Sequence, residues 1–119
     1  MKKTLIIGAT NNSERYAYKA ANRLVEAGYE IVPFGIKKGE VAGVAMVNEW
    51  QQFEGIDTVT MYVGAPRQGD YINKIISIKP KRVIFNPGTE NPVFEEQLKA
   101  ANIEVEVACT LVLLSLKSY

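Results

Sequence analysis

Histidine is absent from this 119-residue sequence, cysteine and tryptophan occur once each, and no apolar run is long enough to cross a bilayer. Without histidine the chain cannot build a Ser-His-Asp or Cys-His catalytic group, a histidine-ligated metal site or a phosphohistidine from its own residues. The lone Cys109 excludes an internal disulfide and a thiolate zinc cluster, and its apolar neighbours suit a small buried hydrophobe better than a reactive thiol. Charge excess is missing as well. Lys and Arg total 14 against 13 Asp and Glu, so a net charge of +1 makes no electrostatic case for nucleic acid or an anionic membrane. The apolar stretch behind Lys2-Lys3 is too short for a signal peptide, and the expectation is a soluble protein of the cytoplasm. Carboxylates, lysines and tyrosines remain available, so catalysis is weakened without being eliminated, and the weight shifts to binding.

What the chain does have is 47% hydrophobic residues, enough for one domain with a core of its own. Strand-like runs alternate with helical stretches, which predicts a parallel α/β sheet. Leu5-Ile6-Ile7 reads as a strand buried on both faces, followed by the polar turn Gly8 to Arg15 and a helix over Ser13–Ala27 that Gly28 terminates. Tyr29–Phe34 is the second strand and Thr58–Val63 the third, with a short helix near Asn48–Phe53 between them. Tyr71, Ile72, Ile75 and Ile76 stripe a helix closed by Lys79-Pro80, and Arg82–Phe85 follows as the fourth strand. Asn91-Pro92 caps the next helix, Ile103–Val107 is the fifth strand, and Leu111–Leu114 opens a terminal helix too apolar to be fully exposed. No repeat or linker argues for a second domain. Right-handed crossovers then give an open, doubly wound, Rossmann-like sheet of five parallel strands.

In such a sheet the ligand crevice lies beyond the strands' carboxyl ends. Here those ends carry Gly8-Ala9-Thr10-Asn11-Asn12, Pro33 to Lys38, Val63 to Pro66 and Asn86 to Glu90. The first turn opens a helix whose leading amides favour a phosphate. A dinucleotide site would add a second and third glycine and an acid after the second strand, yet the next glycine after Gly8 is Gly28 and the strand delivers Lys37-Lys38. A basic pair suits a phosphorylated ribose or a pyrophosphate better than a free diol. The Walker lysine pattern is missing too.

Several stretches resemble the CoA-binding domain family, known from the amino-terminal domain of succinyl-CoA synthetase α subunits and from small stand-alone CoA-binding proteins. The resemblance rests on Ile7-Gly8-Ala9-Thr10 with Glu14-Arg15-Tyr16, on Val32-Pro33 with Lys37-Lys38-Gly39, and on Tyr62-Val63 with Pro66. Pro80 to Asn91 and Glu106 to Val112 carry it further, so that it spans nearly the whole chain. It implies a CoA or acyl-CoA site in which the turn containing Thr10, Asn11, Asn12, Ser13 and Arg15 meets phosphates and Lys37 or Lys38 meets the nucleotide end. Asn86-Pro87-Gly88 would line the pantetheine path, and Val63 and Gly64 would wall it. In the synthetases the phosphohistidine and catalytic machinery lie outside this domain, which implies a binding module that performs no reaction itself.

Each feature also has an ordinary structural reading. Every parallel crossover needs a tight turn like the one at Gly8, a lysine pair is commonly a solvated face, and Asn86 to Thr89 is good turn chemistry before the Asn91 cap. Two alternatives stay open beside the CoA-binding protein. One is an NAD(P)-dependent oxidoreductase with a cryptic Rossmann-like site, and the other is an interaction subunit of an acyl-CoA enzyme or a homodimer joined through Leu111–Leu114.

Overall fold

A computed structural model describes residues 2–119. Its main sheet contains β1 (Lys3–Ile7), β2 (Glu30–Phe34), β5 (Thr58–Met61), β6 (Arg82–Phe85) and β7 (Glu104–Val107), all parallel, in the order β2-β1-β5-β6-β7. Residues 5–7, Val59, Met61 and residues 83–85 have no exposed surface, as strands covered on both faces require. Side-chain alternation sends Leu5, Ile7, Met61 and Phe85 to one face, where they pack with Ile75 of α2 (Ile72–Ile78) and Phe94 of α3 (Pro92–Ala100). Ile6 and Ile84 face the other way, against Leu24 of α1 (Tyr16–Glu26) and Leu113 of α4 (Thr110–Ser115). The fold is therefore doubly wound, and the chain reverses direction across the sheet between β1 and β5.

The helix over residues 13–27 is shorter than the apolar spacing predicts, and α1 begins only at Tyr16. Asn12 is the reason: its side-chain oxygen accepts from Glu14 N (3.0 Å) and its carbonyl from Arg15 N (3.1 Å), which closes a turn before the helical ladder can start. Ala17, Ala20, Ala21 and Leu24 are buried at the predicted spacing. At the far end Gly28 (φ 90°) and Tyr29 donate to Val25 O and Leu24 O, completing the expected stop.

Between β2 and β5 the expected helix at Asn48–Phe53 does not form. Val47 N instead donates to Pro33 O (2.8 Å), Gly35 N donates to Val47 O (3.0 Å), and Asn48 Nδ2 donates to the carbonyls of Gly35 (2.7 Å) and Lys37 (2.8 Å). These bonds fasten Val47 and Asn48 to the end of β2 and the loop after it, while Trp50 and Phe53 pack edge-on against Phe34. Upstream, β3 (Glu40–Val41) and β4 (Val44–Ala45) form a small hairpin around Ala42 and Gly43, both at positive φ. An Asn-Gly or Asp-Gly pair would have announced that turn; Ala42-Gly43 does not.

The terminal helix covers the sheet through Leu113, while Val112 and Leu116 stay more than half exposed. Beyond it Tyr119 is buried against the sheet, its hydroxyl bonded to Thr4 Oγ1 and its ring under the Arg82 guanidinium.

Candidate ligand-binding cleft

The carboxyl ends of β2, β1, β5 and β6 enclose an open cleft of about 810 Å³, within the range of small-molecule sites. It lies at the β1/β5 reversal, where the strand order leaves adjacent loops turning to opposite faces. Gly8 N (3.0 Å) and Ala9 N (2.9 Å) both donate to Phe34 O, so the turn after β1 lies directly across the end of β2. The close approach depends on Gly35, because a Cβ there would sit 2.2 Å from Ala9 O. The glycine that lets backbones meet thus stands on the neighbouring strand end rather than inside the turn, a relation with no signature along the chain.

The Gly8 and Ala9 amides are already committed to Phe34 O and supply wall, not donors. Tyr16 and Ala17 begin α1 at the cleft, and the Arg15 N-cap makes no side-chain bond to their helix's first turn. That first turn keeps its orphan amides, together with the positive end of an 11-residue helix. Arg15 and Lys37 line the cleft with it, and the loop after β5 adds Arg67 and the single lining acid, Asp70. Among the described residues no group of three His, Cys, Asp or Glu side chains could hold a metal ion.

Of the residues singled out from the sequence, Gly8, Ala9, Thr10, Asn12 and Arg15 line the cleft from the first loop, and Lys37 from the second. Val63 and Gly64 line it after β5, as do Pro87 and Gly88 after β6. Asn11, Ser13, Pro33, Lys38 and Asn86 lie outside the lining. Asn11 Nδ2 donates to Lys38 O (2.9 Å), which ties the first two loops together. Pro33 is buried within β2. Asn86 is turned into the sheet: its Nδ2 donates to Thr60 Oγ1 (2.7 Å) and Met61 O (2.9 Å), and its Oδ1 accepts from Thr110 N (2.8 Å).

Sequence reading missed the aromatic wall. Phe34 and Tyr71 line the cleft and pack edge-on at 5.9 Å, backed by Trp50. Tyr62 lines the opposite wall with its Oη buried and without a hydrogen-bond partner. Burial pushes this phenol up to about 12, and the Thr110 and Thr60 hydroxyls, which bond each other at 2.8 Å, pull it down more weakly. At neutral pH Tyr62 is a protonated phenol and cannot act as a general base. Ile36, 88% exposed, forms an apolar lip beside Lys37.

Known structures share this fold. A crystal structure of an uncharacterized protein superposes with a TM-score of 0.97 at 54% identity, covering 100% of this chain and 98% of that one. A Thermus thermophilus structure gives 0.83 at 23% identity over 99% and 90% of the two chains, and a hypothetical protein from Pyrococcus horikoshii OT3 gives 0.79 at 26% identity over 93% and 80%. No curated protein matches the sequence. Residues 2–115 match the CoA binding domain, nearly the full length, and by that match the chain belongs to the CoA-binding domain family.

Proposed function

We propose that the cleft holds CoA or an acyl-CoA and that the chain acts as a cytoplasmic binding protein without catalysing a reaction itself. The observation that carries this reading is the division of the cleft. At one end the uncapped first turn of α1 lines the cleft with Arg15 and Lys37, chemistry that suits the phosphates of CoA. At the other end Val63-Gly64 and Pro87-Gly88 offer backbone and small neutral atoms, which suit the slender pantetheine arm.

Trp50 is the single tryptophan and packs on Phe34 and Tyr71, so its fluorescence reports occupancy of the cleft. Titration with CoA, NAD, NADP and FMN, read by fluorescence and by melting temperature, compares the readings directly. At a hundred times its dissociation constant CoA should add about 2.7 kcal/mol of stability. Millimolar CoA that leaves the melting temperature unmoved removes the CoA reading, and NADP binding with indifference to CoA favours the oxidoreductase.

Lys37 and Lys38 are expected to separate. Lys37 reaches the cleft and Lys38 does not, so Lys37→Ala should weaken CoA about three- to tenfold and Lys38→Ala far less. Dephospho-CoA should lose less than CoA on Lys37→Ala; equal losses would show that Lys37 does not read the ribose phosphate. The exposed Val112 on α4 and Leu116 just after it support a homodimer as the partner, and a single-chain mass in light scattering at micromolar concentration removes that partner.

A further inference from the structure

We propose that Gln68 is a positioning residue whose buried amide clamps the loops after β5 and β6 and so aims the Gly64 N–H into the pantetheine half of the cleft. The inference rests on the CoA reading above and adds a residue that the family resemblance does not single out.

Gln68 sits between two short 3-10 turns, Ala65–Arg67 and Gly69–Tyr71, with neighbours Arg67 and Gly69 exposed, yet it has no exposed surface itself. Glutamine is rarely so buried, and a buried amide is costly unless every polar atom is satisfied. Here every one is. Nε2 donates to Val63 O (2.7 Å) and Thr89 O (2.8 Å), and Oε1 accepts from Asn91 Nδ2 (3.0 Å). Asn91 in turn caps α3 by accepting from Phe94 N (3.2 Å). One side chain therefore joins the β5 loop, the β6 loop and the start of α3.

The joint has a directional consequence. A trans peptide points its carbonyl and the following N–H in opposite directions, and none of the described peptides is cis. With Val63 O drawn to Gln68, Gly64 N–H is turned away from it, at a residue that lines the cleft. No other group of the described residues accepts from that N–H. It is a donor fixed in direction and free for a ligand carbonyl, and the pantetheine arm carries two amide carbonyls. Only a glutamine of this reach can donate twice and accept once: glutamate has no second donor, and methionine or leucine has none.

The test compares CoA with adenosine 3′,5′-bisphosphate, which has nucleotide phosphates and no pantetheine arm. Gln68→Ala and Gln68→Glu at pH 8 should weaken CoA about tenfold or more while the bisphosphate changes by less than about twofold. At pH 5 a protonated Gln68→Glu regains a donor, so its ratio of CoA to bisphosphate affinity should move back toward wild type. Equal weakening of both ligands, or unchanged CoA binding, overturns the inference. Should Gln68→Ala not fold, Gln68→Glu at the two pH values carries the same comparison. A ligand-free readout accompanies it: Phe94 amide exchange should quicken in Gln68→Glu at pH 8 while sheet amides keep their protection. If wild type binds neither ligand, the CoA reading falls separately, and unchanged exchange at Phe94 then overturns the clamp.

Discussion

Gly35→Ala is expected to destabilise the protein by about 3 kcal/mol, with a fall in melting temperature of about 10 °C or more, and to erase the ligand-dependent stabilisation. The cause is contact rather than dihedral strain, since Gly35 does not occupy the positive-φ region. A methyl group would stand 2.2 Å from Ala9 O and 3.2 Å from Met46 Cε. Met46 can shift its flexible end, but Ala9 O belongs to backbone that two hydrogen bonds from Gly8 N and Ala9 N pin to Phe34 O. To make room the turn must lift off β2, which breaks those bonds and moves the start of α1 away from Lys37. Gly69→Ala is the control, because a Cβ there meets nothing within 4 Å. Equal melting temperatures for Gly35→Ala and Gly69→Ala would refute the packing account of the cleft.

The second large effect is expected at Asn86. Asn86→Ala removes two donated bonds and one accepted bond inside the sheet, leaving Thr110 N without its side-chain acceptor and Thr60 Oγ1 and Met61 O each with one donor fewer. Stranded buried groups cost about 1–3 kcal/mol each, so a total loss of about 2–4 kcal/mol follows once partial relaxation is allowed. Lys37→Ala, on the surface, should by contrast change stability by less than about 0.5 kcal/mol. Asn86→Asp adds a pH signature. It keeps an acceptor for Thr110 N but turns a carboxylate oxygen toward Met61 O and Thr60 Oγ1, in a site only 2% exposed. Burial and the facing carbonyl raise the folded-state pKa of that new carboxyl above its unfolded value of about 3.9. Stability is then fully retained below the unfolded value and lost as pH rises through the folded one. Urea midpoints at pH 4 and pH 8, each taken relative to wild type, should show the larger deficit at pH 8; a larger deficit at pH 4 would mean that Asn86 does not donate into the sheet.

Asn86 also shows how a candidate residue changes meaning once the fold is known. From the chain alone it belongs to Asn86-Pro87-Gly88, a polar turn at a strand's carboxyl end. In the fold its neighbours Pro87 and Gly88 line the cleft, while Asn86 itself faces inward and anchors β5 and the start of α4. Lys37 and Lys38 divide in the same way: Lys37 lines the cleft, while Lys38 lies outside it with its carbonyl bound by Asn11 Nδ2.

The period of apolar residues was legible from composition and spacing, and it is a local property: the continuous run Leu5-Ile6-Ile7, the alanine stripe of α1 and the Asn91-Pro92 cap dictate a buried parallel sheet with helices on both faces. The loops at the strand ends, and hence the general position of the cleft, follow from that topology. The rest depends on partners distant in the chain. The Asn48 side-chain bonds and the packing of Trp50 and Phe53 on Phe34 override the helical spacing of residues 48–53, the approach of Ala9 explains Gly35, and the carbonyls of Val63 and Thr89 explain Gln68. A hydrogen bond or a close contact between residues that far apart is chosen by the packed chain as a whole, so it leaves no periodic trace in the order of the amino acids.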